Sequence, residues 1–399
     1  MIIKNAKVFT DNFSFEEKTI YITGGRITRI ADAKENPDAN SEGEDILDAS
    51  GLFAVPGLVD IHFHGAVGHD FCDADADALL EIAKYEAANG VLAICPATMS
   101  YNEEILDNVI DAARAFAAAY ENFEEVSAPS DKNSVASLVG INMEGPFINP
   151  EKAGAQNPEY IMKPDREMFL RLQSRSGGLI KLVDIAPEMD GAMEFIERFS
   201  KEAVISIAHT ACDYDTAKKA FLLGAKHMTH LFNAMPGINH RTPGPIPAAR
   251  EADVEVEIIA DGIHVHPAMV RQTFDMFSED KVILISDSME ATGLEDGTYQ
   301  LGGQSVTVSG KKAVLSDDGK TIAGSVTNLF DCMKTAVLEM DIPLEVALRA
   351  ATINPAKSIG IDKDYGSISV GKFANIVLMD DNLNIKNIIC KGTSIIQKS

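Results

Sequence analysis

An apolar, strand-like run recurs eight times through the middle of this chain, and that recurrence constrains the fold more than any other feature. The runs are LFAVPGLVDIHFHG, GVLAICPATM, ASLVGINMEGPF, IKLVDIAPEM, AVISIAHTA, AKHMTHLFNAM, VEVEIIADGIHVH and KVILISDSM. Helix-like stretches separate most of them, among them ADALLEIAKYEAANG, NEEILDNVIDAARAFAAAY, DGAMEFIERFSKEA and DYDTAKKAFLLGA. Apolar strands alternating with helices are the pattern of a parallel sheet buried on both faces. Eight such units predict an α/β fold, a (β/α)8 TIM barrel. The segment from Tyr299 to Ala323, with TYQLGG and KAVLSDDG, reads as a β-hairpin inserted before the last helix.

The two ends of the chain read differently. TIYITGGRITRIAD alternates apolar and polar residues around Gly24-Gly25, a hairpin signature. Aspartate and glutamate dominate from Asp32 to Asp48, which predicts an exposed loop. Near the other end, GSISV, FANIVLMD and IKNIICKG are β-like. Terminal β segments that meet can form one small companion domain. The expected organisation is therefore a β-sandwich domain built from residues 1–55 and 358–399, flanking a barrel domain of residues 56–357.

Barrel enzymes carry their chemistry at the C-terminal ends of the strands. Metal-type side chains fall there. His62 and His64 end the first run, Glu144 the third, His209 the fifth and Asp287 the eighth, while His230 lies late in the sixth. Strand side chains alternate faces, so His62 and His64 point the same way. Imidazoles and carboxylates converging from separate strands are the donor set of a divalent transition metal. A single strand histidine is more often a satisfied core residue. Six such groups at six places would each need a buried partner if they were mere packing. Of the remaining histidines, His69 and His240 read as loop residues, and His227 starts a strand away from the mouth. His266 precedes Pro267 as a helix-start residue, and His264 follows the seventh strand at the mouth, within reach of substrate.

Composition narrows the partners. The net charge of −25 disfavours nucleic acid and anionic membrane surfaces, and obliges any anionic ligand to find a local cationic pocket. No run approaches the roughly twenty apolar residues of a membrane span, and the first residues lack a signal-peptide pattern. Five scattered cysteines without a C-x-x-C pair fit a reducing, cytoplasmic setting. Cys95, within AICPAT, reads as a buried structural thiol.

At these residues the sequence resembles the N-acetylglucosamine-6-phosphate deacetylases of the amidohydrolase superfamily. The resemblance spans nearly the whole chain: PGLVDIHFHG, EGPFINPEKAGAQNP, AHTACDY, THLFNAMPGINHRTPG, DGIHVHP, ISDSMEATG, AGSVTNLFDCM and GSISVGKFANIVLMD. It implies a metal-bearing barrel beside a small β domain, and hydrolysis of the acetamide of N-acetylglucosamine 6-phosphate to glucosamine 6-phosphate and acetate. It makes Glu144 a metal ligand where many amidohydrolases use a carboxylated lysine. His209 and His230 would complete one site, and His62 and His64 would form a second with Asp287, for one or two ions of zinc or iron. Asp287 would also be the catalytic acid and base.

The same resemblance implies that Arg241 binds the substrate phosphate from a neighbouring subunit of a homodimer. His264 would be a second phosphate contact, and Asn233 and Ala234 would hydrogen-bond the sugar phosphate. Two departures stand out. Gln156 replaces a histidine that relatives place near the acetyl carbonyl, and Asn375 replaces a frequent aspartate. Rival readings are another amidohydrolase, such as a cyclic-amide hydrolase, and a deacetylase for N-acetylgalactosamine 6-phosphate. The first should carry a lysine in place of Glu144; the second differs only at sugar C4. A non-catalytic sugar-phosphate-binding protein would have no use for Asp287.

Overall fold

The structure, a computed structural model, describes residues 1–32, 45–120 and 134–397. The acidic loop expected between Asp32 and Asp48 falls largely outside the described residues.

Each of the eight apolar runs yields parallel strand. A three-stranded sheet joins Leu58–Asp60, Val91–Ile94 and Ser137–Leu138. A six-stranded sheet continues through Ile141–Met143, Ile180–Ile185, Val204–Ile207, His227–Met228, Glu255–Ile259 and Val282–Ile285. A parallel bridge between Ala97 and Asn142 links the two. At the other edge the sheet curls back on itself: Asp287 N donates to His62 O at 2.9 Å and His64 N donates to Ser288 O at 2.7 Å. Most strand residues are buried, as a sheet covered on both faces requires. The four helical stretches become Ala76–Ala88, Glu103–Tyr120, Ala192–Phe199 and Tyr214–Leu222.

The apolar side chains divide between two cores. Val59, Ile61, Ala93, Cys95, Leu182, Val204, Ile259, Ile283 and Ile285 gather in one cluster with Ala356 and Ile359. Neighbours of opposite parity, including Leu58, Leu92, Val183, Ile205, Val256 and Leu284, join the much larger core formed with the helices. Period-two alternation within uniformly apolar strands thus feeds two packing layers at once. Cys95 lies wholly inside the first layer, where burial pushes its thiol up, as befits an inert packing residue.

Both chain ends build one sheet. Its order runs from Thr393–Gln397 through Ile385–Cys390, Ile376–Met379 and Phe53–Pro56 to Ile2–Phe9, Phe15–Thr23 and Arg26–Asp32. The Gly24-Gly25 hairpin forms as its signature predicts, with φ of 58° and 74°, the left-handed pair that glycine adopts without strain. GSISV is not a strand. Glycines of positive φ, Gly366 and Gly371, bracket it, and the Ser367 and Ser369 hydroxyls bond each other while Ser369 also donates to Asp11, holding an irregular loop. Asn375 is buried, and its side-chain carbonyl accepts from Lys391 N at 2.8 Å, so this departure has a structural task within the sheet.

Two further expectations are corrected. The segment before the last helices carries three antiparallel strands, not a hairpin: Gly297–Leu301, Gln304–Ser309 and Lys312–Leu315. Its apolar face (Leu301, Val306, Val308 and Ala313) packs on Met99 and Met289, which supplies the burial a third strand needs. His69 sits not in open loop but in a two-residue strand, His69–Asp70, paired with Gly65–Ala66. This tight return follows His64 directly, and a Cβ on Gly65 would overlap the His69 carbonyl oxygen. Gly65→Ala should therefore cost roughly 1–3 kcal/mol of folding stability, as overpacking does. Urea titration checks this, and an unchanged midpoint would show that the return opens freely.

Candidate metal centre

Six side chains from five strand ends meet in the curl of the sheet. Three of them, His209, His230 and Asp287, leave their strands with φ of 42°, 28° and 50°. Left-handed backbone is unfavourable for non-glycine residues and concentrates at sites where the surrounding structure imposes it. Here hydrogen bonds impose it: Asp287 N is held by His62 O, and His230 N donates to the Glu257 carboxylate at 3.1 Å.

Glu144 is the hub. Its Oε1 lies 3.0 Å from His209 Nε2, 3.2 Å from His230 Nε2 and 3.4 Å from His62 Nε2. Its Oε2 lies 3.3 Å from His64 Nε2, which is itself 3.3 Å from Asp287 Oδ1. Two overlapping groups with ligand atoms within 4.8 Å of one another result, His62–His64–Glu144 and Glu144–His209–His230. Both use Glu144. Asp287 stands close to the first, 3.9 Å from His62 Nε2.

The hydrogen-bond arithmetic of this cluster calls for a cation. His209 Nδ1 lies 2.8 Å from the carbonyl of Lys152, which can only accept, so Nδ1 carries the proton and Nε2 presents a lone pair. That lone pair faces His230 Nε2 at 3.1 Å and a carboxylate oxygen at 3.0 Å. His62 repeats the pattern: Nδ1 is engaged by Glu257 at 3.0 Å, and the buried Nε2 has no hydrogen-bond partner. Acceptors aimed at one another inside a protein are unfavourable unless a positive charge lies between them. The donors are imidazole nitrogen and carboxylate oxygen, the set that zinc and iron(II) take. The residues present fit a divalent transition metal.

The titration behaviour shows the same demand for positive charge, which protons on the rings meet when no metal ion is bound. Burial would raise the Glu144 carboxyl, but His62, His209 and His230 outweigh it and hold the group well below the ordinary carboxylate range. Burial would lower His62, yet Glu257 and Glu144 drive it well above an ordinary histidine. Buried Asp287 is lowered, its desolvation overcome chiefly by His64. The centre is thus an anionic pocket that attracts positive charge.

A cavity of about 430 Å³ opens over the centre. His64, Glu144, His209, His230 and Asp287 line it, with Gln156, Asn233, Ala234 and His264. His264 is steered by Asp261, whose Oδ2 lies 2.8 Å from its Nδ1, leaving Nε2 as the second ring nitrogen. Gln156 does not stand free before the cavity. Its amide donates to Glu144 Oε2 at 2.7 Å while its carbonyl accepts from Ser100 N at 2.6 Å, so one of its two N–H bonds already holds the hub. Arg241 is the predicted residue that the structure does not bring here. It is exposed and borders a separate cleft with Tyr214 and Pro236. His266 caps the helix Pro267–Met276, accepting from Ala268 N, and His240 is exposed.

Sequence reasoning passed over several residues. Glu257 and Asp60 are fully buried, and each holds His62: Glu257 at the ring, Asp60 by accepting from the backbone N–H at 3.2 Å. Burial pushes the Asp60 carboxyl to about 7 against the opposing Ser286 hydroxyl bond. Lys152 and Lys320 line the cavity and were not singled out. Glu257 carried no signal of its own, because the glutamate–valine alternation of VEVEII also suits a strand with one exposed face.

Comparison with known proteins agrees with this geometry. The amidohydrolase family model matches residues 53–395. The chain is 36% identical to N-acetylglucosamine-6-phosphate deacetylase of Bacillus subtilis over 98% of this chain and 96% of that protein. It is 30% identical to the Caenorhabditis elegans enzyme of the same name, over 94% and 90% respectively. Among solved structures, a mutant N-acetyl-D-glucosamine-6-phosphate deacetylase from Mycobacterium smegmatis, in complex with N-acetyl-D-glucosamine-6-phosphate, superposes with a TM-score of 0.89. It is 29% identical and covers 100% of this chain and 99% of its own. The Pasteurella multocida deacetylase gives 0.89 at 26% identity, with 98% of each chain covered. The chain belongs to the amidohydrolase family.

Proposed function

We propose that the centre hydrolyses the acetamide of N-acetyl-D-glucosamine 6-phosphate, releasing acetate and D-glucosamine 6-phosphate. The observation that carries this reading is the Glu144 hub with four imidazoles beneath a cavity, in a chain whose relatives bear that enzyme name along their whole length. The curled parallel sheet is read as a closed (β/α)8 barrel of residues 56–357. The sheet from residues 1–55 and 358–399 is read as its β-sandwich companion. No helix among the described residues is long and apolar enough to cross a membrane, and we assign the activity to the cytoplasm.

His62, His64, Glu144, His209, His230 and Asp287 would hold one or two divalent ions, zinc or iron. When bound, such an ion supplies a Lewis acid that acidifies water and polarises the acetyl carbonyl. Asp287 lines the cavity as a carboxylate kept ionised by its histidine neighbours. It accepts the proton of the attacking water as the new C–O bond forms, then delivers it to the amine nitrogen as the C–N bond breaks. His264, oriented by Asp261, faces the phosphate, and Asn233 and Ala234 contact the sugar phosphate. Gln156 keeps Glu144 in place and retains one N–H for the acetyl oxygen. Arg241, outside its own cavity, reaches the phosphate in the partner subunit of a homodimer.

Four outcomes follow. Purified protein should release acetate from the 6-phosphate far faster than from the unphosphorylated sugar, and equal rates would remove the phosphate pocket. Asp287→Asn should keep most of its metal and lose turnover by about 10²–10⁴-fold, the range for a lost general acid–base. Glu144→Ala should abolish metal binding at both positions while His209→Ala spares one, as read by elemental analysis. Equal metal in these two variants would contradict a shared hub. Arg241→Ala should raise KM about 10–100-fold with kcat nearly kept, as a charge-assisted hydrogen bond used mainly for binding predicts. A kcat loss without a KM change would place Arg241 elsewhere.

A further inference from the structure

Beneath the ligands lies a buried polar layer that no substrate or metal atom need touch. Glu257, His227, Ser206, Thr229 and Asp184 are all 0% exposed. Donor bookkeeping fixes their proton order. Thr229 donates to Asp184 Oδ1 at 2.8 Å, so its oxygen accepts from the Ser206 hydroxyl at 2.6 Å. Ser206 in turn accepts from His227 Nδ1–H at 2.9 Å. His227 Nε2 is left as a lone pair 3.8 Å from Glu257 Oε1 and gives that carboxylate no proton. The hydrogen bonds that Glu257 receives therefore come from above. Its Oε2 takes both the His62 Nδ1–H, at 3.0 Å, and the His230 backbone N–H, at 3.1 Å.

We propose that Glu257 is a positioning residue that fixes His62 through its ring and His230 through its backbone, tying the two ligand groups into one binuclear unit. This rests on the metal-centre reading of the preceding sections and goes beyond it. One carboxylate oxygen spans two ligands, and each of those ligands belongs to a different group around Glu144. On His62 the contact sets the tautomer, leaving Nε2 as the ligand atom, and a carboxylate behind an imidazole raises its basicity towards a metal. On His230 it secures the N–H of a residue whose φ of 28° the strand would not hold unaided. A half-buried strand would send both glutamates of VEVEIIAD to solvent, whereas here the Glu257 carboxylate is wholly enclosed.

The test reads zinc rather than turnover. Metal-free protein is titrated with zinc against a chromophoric chelator, in the parent, Glu257→Gln, His62→Ala and the double variant. Glu257→Gln preserves volume and one acceptor but removes the charge, and should weaken zinc binding about 10–100-fold, the usual effect of losing an outer-shell partner. In the His62→Ala background the same change should cost distinctly less, because half of what Glu257 holds is already gone. Parental affinity in Glu257→Gln, or an identical penalty in both backgrounds, overturns the proposal.

Should the glutamine variant fail to fold, ¹⁵N-histidine spectra of the zinc-loaded parent decide. The resonance lost in His62→Ala must report a proton on Nδ1 and none on Nε2, and the reverse tautomer sinks the idea. No substrate enters these measurements. Absent acetate release would count against the deacetylase reading while leaving the zinc result to stand or fall by itself.

Discussion

Everything at this site depends on one carboxylate, Glu144, almost wholly buried at the floor of the cavity, where four imidazole nitrogens converge on its two oxygens. A buried carboxylate without compensation would neutralise itself by taking up a proton. Glu144 is held in the opposite direction by its histidine neighbours. Among the described residues, Gln156 is its amide donor. The remaining contacts are with rings whose facing nitrogens are, in at least two cases, lone pairs, because the opposite nitrogen is committed to Lys152 O or to Glu257. Such an arrangement is satisfied by added positive charge, whether a shared metal cation or protons on the rings.

Holding this arrangement falls to the backbone at the strand ends. Hydrogen bonds between the first and last strand ends bring His62 and Asp287 side by side, and the positive-φ turns at His209, His230 and Asp287 swing those residues out of their strands. The apolar layer of Val59, Ile61, Leu182, Ile259 and Ile285 makes the interior below too close-packed for the ligands to relax into. The ligand side chains are thus segregated at the strand ends, with the polar layer around Glu257 and the hydrocarbon layer of Val59 and its neighbours below them. That segregation lets an acidic centre exist without unfolding the sheet that carries it.

The strands and their ligands were legible for a common reason. Polar residues at the ends of apolar runs violate the local pattern, and a violation repeated at His62, Glu144, His209 and Asp287 has a direction. Glu257 was not legible in that way. Within VEVEII the alternation of glutamate and valine matches a half-exposed strand, and only closure of the sheet around it turns the glutamate into a buried group. Glu86 poses the same difficulty on a helix: its sequence neighbours Glu81 and Lys84 face solvent, yet Glu86 is fully enclosed with its carboxyl raised far above the ordinary range by burial. Periodicity reports which face a residue shares, and not what another element later places over that face. The third strand of the 297–315 sheet escaped notice similarly, because its apolar partners Met99 and Met289 come from distant runs.

Charge supplies the remaining constraint. A protein of net charge −25 repels an anionic sugar phosphate at long range, so attraction has to be local and strong at short range. The cavity supplies it from several directions. Lys152 and Lys320 line the rim without an ion pair among the described residues, and His264 is driven towards its charged form by Asp261 against the cost of burial. The acidic centre lies deeper, around Glu144 and Asp287. A molecule with a phosphate at one end and a neutral amide at the other can satisfy both depths in only one orientation: anion at the cationic rim, amide towards the ligands. On the proposed function, the polarity that would select a phosphorylated substrate is therefore the same polarity that would present its acetamide to the centre.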